Sequence, residues 1–260
     1  MQLSDSQLAQ FLEEGFLILP KFADKLMCDT INDLAKVHLH YQIPPIETEL
    51  EYSLKSKEER KSISDAHSQE HEERVYIRRL RQVYSRDIVF KQWMENEKIR
   101  PILKQVLGEK VAISIAHHNS IMTKMPHTST QTSWHQDFRY WHFDTDNLVS
   151  IWLALDNENA ENGVLEFIPK SHNMLFTENQ FDEKEYFSET LEENKSIIKT
   201  KVSHNLQKGD VVLFHCKLLH RANKNASSKA KISFVYTVKG VSNHAISGTR
   251  SDSFPDVILK

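Results

Sequence analysis

Cysteine is scarce: the 260-residue chain has two, Cys28 and Cys216. Two cysteines build neither a disulfide framework nor a cysteine-based zinc site, and such sparing use fits a reducing compartment. Charge of one sign is also lacking. The 33 Lys and Arg are balanced by 36 Asp and Glu for a net charge of −3, so no whole-protein field draws the chain to nucleic acid or to a membrane. No apolar run approaches the ~18 residues of a membrane span. The opening MQLSDSQLAQFLEEGF has no basic stretch leading into an apolar one, and it reads as a capped helix rather than a signal peptide. Internal repeats and low-complexity linkers are absent. These absences predict a cytoplasmic protein without nucleic-acid or membrane partners. No pattern specifies an oligomeric state.

Hydrophobic residues make up 39% of the chain, which argues against disorder, and the length suffices to bury a sizeable core. Ser4 or Asp5 can cap a first helix carrying Leu8, Phe11 and Leu12, with Gly15 ending it. Residues 16–20 (FLILP) read as a short buried strand. Residues 24–40 are expected to be helical, with Leu26, Met27, Ile31, Leu34 and Val37 on one face. Residues 43–74 are polar and charged: a solvated helix or insertion, or a lid over a site. Residues 86–107 look helical and end at Gly108.

From residue 110 the period changes. VAISIAHHNSIMTKM, LVSIWLALD, GVLEFIPKSH, GDVVLFHCK and KAKISFVYTVKG are short β-branched and aromatic runs bounded by Gly, Asn and Asp. Asn162-Gly163 is expected to form a hairpin turn. The pattern predicts a mainly β protein with N-terminal and flanking helices. A mostly helical portion (1–108) would pack on a β-sandwich or barrel (109–245), with a C-terminal tail (246–260), all in one domain (1–260).

Histidine is abundant, with 14 residues. The sharpest local signal is Trp134-His135-Gln136-Asp137. On a strand, residues two apart share a face. An imidazole and a carboxylate converging there are two-thirds of a facial metal triad, and the triad leaves positions open for small ligands. His220, after the apolar run 211–214, is the best third donor. Of the others, His38, His40, His67 and His71 lie in the polar N-terminal half. His117 and His118 are adjacent on a predicted strand, so at most one points inward.

Several segments together resemble the phytanoyl-CoA dioxygenase family of Fe(II)/2-oxoglutarate oxygenases. They are LSDSQLAQFLEEGFLILPKF, WHQDFRYW, WLALDNENAENGVLEFIPKSH and HRANKNASSKAKISFVY, which occur in the family's order and cover roughly residues 3–240. The resemblance implies a double-stranded β-helix (jelly roll, cupin-like) core. It implies that His135, Asp137 and His220 hold Fe(II), and that 2-oxoglutarate and O₂ are co-substrates; ascorbate is admitted as a further cofactor. The expected reaction is hydroxylation of a small organic substrate. Family members that halogenate have a small residue at the position of Asp137, so chlorination is not expected here.

The family places an Arg about eleven residues after the distal His, on the far carboxylate of 2-oxoglutarate. This chain has Lys231 there, with Lys229 two positions earlier, and either is a candidate anchor. A lysine pairs as a point charge rather than a fork, so the grip is expected to be weaker or different. Ala222 stands where the family often has a hydroxyl. Lys124 matches a family lysine that could lie near the co-substrate, and Asn119 and Trp152 are further pocket candidates. Tyr140, Trp141, Arg139 and Arg79 are expected to border the substrate, which their charge suggests carries a negative group. Two rival readings remain. One is a catalytically altered metal-binding barrel that binds a small molecule. The other is an oxygenase acting on nucleic acid, which the charge balance disfavours.

Overall fold

The computed structural model describes residues 1–54 and 76–260. The Ser4 hydroxyl accepts the Gln7 N–H and the Gln7 side chain accepts the Ser4 N–H, so a reciprocal cap opens α1 (Asp5–Glu14). Gly15 closes it at φ +83°, and a Cβ there would lie 2.4 Å from His172 Nδ1. Glycine is therefore required for both conformation and space. The turn feeds β1 (Phe16–Leu19) straight into a sheet beside β9 (Val211–His215).

Helix α2 (Lys25–His40) forms where expected, but its buried stripe runs through Cys28, Ile31, Ala35 and His38. Leu26 and Val37 are instead 77% and 47% exposed. The small residues Cys28 and Ala35 allow close approach to the core, which a pattern weighted toward large side chains overlooks. Residues 86–107 form two helices, α4 (Ile88–Met94) and α5 (Arg100–Leu107), not one. Pro101 falls in the first turn of α5, where its missing N–H costs nothing. Within a continuous helix it would have broken the ladder. Gly108 ends α5 at φ +75°, as expected. The start of the polar segment supplies β2 (Ile46–Thr48) and α3 (Glu49–Leu54). The rest of the expected lid, with His67 and His71, lies outside the described residues.

The larger sheet runs β1-β9-β6-β11-β4-β3-β2, with β12 (Val257–Ile258) also paired to β4. Here β3 is Ile77–Arg81, β4 Val111–Lys124, β6 Leu148–Ala154 and β11 Lys231–Gly240. The smaller sheet runs β5 (Thr132–His135), β10 (His220–Ala222), β7 (Leu165–Phe167) and β8 (Val202–Ser203). The strand pairs among the described residues are antiparallel. This is the double-stranded β-helix. The helical portion and the tail are not appendages, since β1, β2, β3 and β12 are stitched into the larger sheet.

The strands of the larger sheet are buried on both faces, which is why they read as continuous apolar runs. On β11, Ile232, Phe234, Tyr236 and Val238 pack outward with α2, α4 and α5 in one core. Val235 points inward with Trp152, Val212 and Phe214, against Leu165, Phe167 and Ala222 of the smaller sheet. Lys231 and Ser233 share that inward face by alternation. The β6–β7 connection passes from one sheet to the other, so Asn162-Gly163 is a crossover turn and not a hairpin. At Gly163 (φ +78°) a Cβ would meet the Asn223 carbonyl at 2.4 Å and Lys124 Cδ at 2.9 Å. Among the described residues, no helix is long and apolar enough to cross a membrane. Cys28 and Cys216 are both buried and unbridged.

Candidate metal centre

His135 ends β5 and His220 opens β10, and the two are paired directly across the strands. Directly opposed residues project to the same face, and the rings lie 4.2 Å apart. Gln136 remains extended (φ −112°, ψ 126°), which carries the strand alternation one step further and brings Asp137 to the same side. A 3₁₀ turn over Asp137–Tyr140 then begins. One donor atom from each of His135, Asp137 and His220 lies within 4.8 Å of the others.

Hydrogen bonds fix the histidine tautomers. His135 Nδ1 lies 2.9 Å from the Ser133 carbonyl, and His220 Nδ1 lies 3.0 Å from the Leu218 carbonyl. Each Nδ1–H is spent on the backbone, so each Nε2 presents its lone pair on the side of the Asp137 carboxylate, 3.7 and 3.9 Å from Oδ1, as a metal ligand would. Burial lowers the His220 pKa to about 4, which keeps the imidazole neutral. Burial raises Asp137 to about 8, against the opposing effects of the Ser150 hydroxyl and Arg79. A buried carboxylate that cannot ionise comfortably alone, facing two imidazoles, is a donor set that a divalent cation completes. Two imidazoles and one carboxylate with adjacent positions left open suit Fe(II).

A fourth side chain reaches this carboxylate, and the sequence reading did not find it. His118 Nε2 lies 3.3 Å from Asp137 Oδ1. Ser150 Oγ lies 3.4 Å from both His118 Nδ1 and Asp137 Oδ2. Burial holds His118 well below its ordinary pKa, so it is a neutral donor. Its placement comes from a bulge. On β4, Asn119 pairs with Tyr236 but the next pair is Ser114 with Thr237, so residues 115–118 are looped out of the ladder. Simple alternation does not hold across such an insertion. His117 turns instead to Ser251 Oγ at 2.7 Å and stacks on Trp141.

Asn119 staples this bulge. Its amide donates to the Ile115 carbonyl and its oxygen accepts the Tyr84 N–H. The structure therefore does not place it in the co-substrate pocket. Trp141 packs with Phe143, Leu148 and Cys216 and lies against His117 and, edge-on at 5.2 Å, against His118; it does not itself line the cavity at the histidines. The Tyr140 ring lies 6.3 Å from His135, and its hydroxyl donates to the Lys184 carbonyl. Arg139 is held by Glu185 at 2.5 Å and Glu178 at 2.8 Å, and stacks over Phe181. Arg79 is held by Glu47 at 2.5 Å. Both arginines are thus paired with carboxylates of the protein itself.

One cavity adjoins both histidines, and Lys124, Trp152 and Lys231 line it together with His118 and Arg78. Lys124 and Lys231 are register partners on β4 and β11. The Lys124 ammonium donates to the carbonyls of Thr130 (2.9 Å) and Ala222 (3.3 Å). Desolvation, then the charges of Arg78 and Lys231, lowers its pKa to about 7. Lys231 donates to Glu158 at 3.1 Å and to the Gly163 carbonyl at 2.7 Å. Trp152 donates its indole N–H to the same Glu158. Lys229 is exposed, precedes β11, and lines a different cavity with Lys36 and His40. It does not share the strand face of Lys231, so the expectation that it could serve as the anchor is corrected.

The model of the phytanoyl-CoA dioxygenase (PhyH) family matches residues 11–233, most of the chain. The chain belongs to the phytanoyl-CoA dioxygenase family. A phytanoyl-CoA dioxygenase domain-containing protein 1 homolog of Caenorhabditis elegans is 24% identical over 185 residues, 66% of this chain and 63% of that protein. The aligned part is thus slightly under two-thirds of that relative. The Bos taurus phytanoyl-CoA dioxygenase domain-containing protein 1 is 23% identical, covering 90% of this chain and 89% of its own. The crystal structure of EctD from S. alaskensis with 2-oxoglutarate and 5-hydroxyectoine superposes with TM-score 0.73 at 20% identity. The match covers 94% of this chain and 78% of that one. The family's fold and the chain's own donor set therefore agree.

Proposed function

We propose that this protein is a non-haem Fe(II)/2-oxoglutarate-dependent dioxygenase that hydroxylates a small organic substrate, with 2-oxoglutarate consumed to succinate and CO₂. The observation that carries the reading is a buried His135–Asp137–His220 set opening on a cavity with a lysine at its other end. His135, Asp137 and His220 would hold the iron. When bound, iron would activate O₂, the oxidant, with 2-oxoglutarate supplying two of the electrons as it becomes succinate and CO₂. The protein's part is positioning. Ser133 and Leu218 orient the two imidazoles, and His118 and Ser150 orient the Asp137 carboxylate. Lys124 offers an ammonium to the far carboxylate of the co-substrate, with Lys231 behind it in an ion pair. Trp152, Phe214 and Leu165 keep that end apolar and strengthen the charge pairing. Tyr140, whose ring lies beside His135, contacts the substrate.

The Lys231–Glu158 pair gives the binder reading its one specific support, because it occupies a cation that the family uses for its co-substrate. Anaerobic titration of Fe(II)-loaded protein with 2-oxoglutarate separates the two. A visible charge-transfer band, and succinate release on aeration across a panel of acyl-CoAs and amino acids, is the expected result. His135→Ala and Asp137→Ala should each lose both signals. Absence of the band in folded, iron-loaded wild type would establish the binder instead.

A further inference from the structure

We infer that Glu158 is a specificity-determining residue: it supplies an internal counter-charge to Lys231 and so weakens the cavity's preference for 2-oxo diacids over 2-oxo monoacids. This rests on the oxygenase reading above.

Glu158 is built in. Its backbone exchanges two hydrogen bonds of 2.9 Å with Leu206, in an isolated antiparallel bridge. Its side chain is fully buried, and that of Lys231 is 3% exposed. Three donors converge on the carboxylate: Lys231 Nζ at 3.1 Å on one oxygen, and Trp152 Nε1 at 3.1 Å and Ser233 Oγ at 2.6 Å on the other. Lys231 gains its second acceptor from the Gly163 carbonyl. Both ends of the pair are therefore satisfied before any ligand arrives. Lys124, its register partner, meets only the carbonyls of Thr130 and Ala222, and among the described residues it makes no ion pair.

The consequence is arithmetic. With Lys124 protonated, the two lysines and Glu158 together carry one net positive charge at this end of the cavity, where two unpaired lysines would carry two. A far carboxylate finds one cation to neutralise and a second already neutralised, with a like charge about 3 Å beyond it. The apolar walls formed by Trp152, Phe214 and Val235 suit an uncharged tail as well. Glutamine at position 158 keeps the size and removes the charge; with its oxygen accepting from Trp152 and Ser233 it turns an NH2 donor toward Lys231, which frees that ammonium for an incoming carboxylate.

The probes are 2-oxoglutarate and 2-oxopentanoate, the five-carbon acid with a methyl group in place of the far carboxylate. Binding is read by anaerobic calorimetry on the Fe(II)-loaded full chain, with thermal melts as a second readout. Glu158→Gln should raise the affinity ratio of diacid to monoacid by about 10- to 100-fold, the worth of one added charge-assisted hydrogen bond. Adding Lys231→Met should cancel the gain. An unchanged ratio in folded Glu158→Gln overturns the inference. Breaking a buried pair can unfold a protein. If it does so here, the charge-neutral double variant Glu158→Leu with Lys231→Met decides. Retention of the wild-type ratio supports the inference, and a tenfold fall makes Lys231 the anchor and refutes it. Wild type that binds neither acid would overturn the oxygenase reading and this inference together. Diacid binding with an immovable ratio would refute only the role of Glu158.

Discussion

Replacing Lys124 by Met should move stability and co-substrate binding in opposite directions, each with its own pH dependence. The lysine is buried, hydrogen-bonded to two carbonyls, and has a pKa lowered to about 7. In the unfolded chain it titrates near an ordinary ~10.4, so holding it charged in the fold costs at most roughly 5 kcal/mol. A base with a depressed folded pKa binds its proton more readily when unfolded. Below pH 7 both states are protonated and the fold bears the whole penalty. Between pH 7 and about 10 the folded lysine has released its proton while the unfolded one has not, so the penalty shrinks and stability climbs. The neutral amine still donates to Thr130 and Ala222. Met removes the penalty and also these two bonds, worth about 1 kcal/mol each. Lys124→Met should therefore be the more stable protein at pH 7 and the less stable above about pH 9. Urea denaturation from pH 6.5 to 9.5 reads this crossing. Affinity for 2-oxoglutarate should drop in the variant by roughly 10- to 100-fold at pH 7. In wild type it should weaken as pH rises, because the far carboxylate favours the charged form. Parallel stability profiles for the two proteins would refute the buried-cation account, and unchanged affinity would refute the anchor.

His118→Leu removes the donor to Asp137, and Fe(II) affinity should fall about 10- to 100-fold in a chelator competition; unchanged affinity would make that contact incidental. Gly163→Ala forces a side chain into the left-handed region and against the Asn223 carbonyl, so thermal denaturation should show a loss of at least about 2 kcal/mol; a neutral result would mean the crossover turn can move freely. Arg139→Met leaves buried Glu185 without its cation and should cost about 3 kcal/mol of stability while KM for the substrate stays unchanged; a raised KM in a protein of wild-type stability would restore Arg139 as a substrate contact.

Local patterns sufficed for much of this protein. The strands buried on both faces, the caps at Ser4 and Gly108, and the family resemblance are all carried by residues near one another in sequence. So is the placement of His135 and Asp137 on one face, since strand period is a backbone property and Gln136 keeps it. His220 was legible because it follows a strong strand and stands in a recognisable segment.

The charges around the site were decided by tertiary structure. Glu158 and Lys231 are 73 residues apart, and nothing local at either position announces the other. The pairing of Arg79 and Arg139 is hidden for the same reason, because an arginine's sequence neighbours do not reveal the carboxylate that neutralises it in space. His118 was hidden by a bulge that breaks the two-residue period on which strand reasoning depends. Sequence fixes which backbone pattern each segment prefers and which donors are available. Only the packed sheets determine which cations are already spent, because ion pairing depends on distance and burial, and both are set by residues far along the chain.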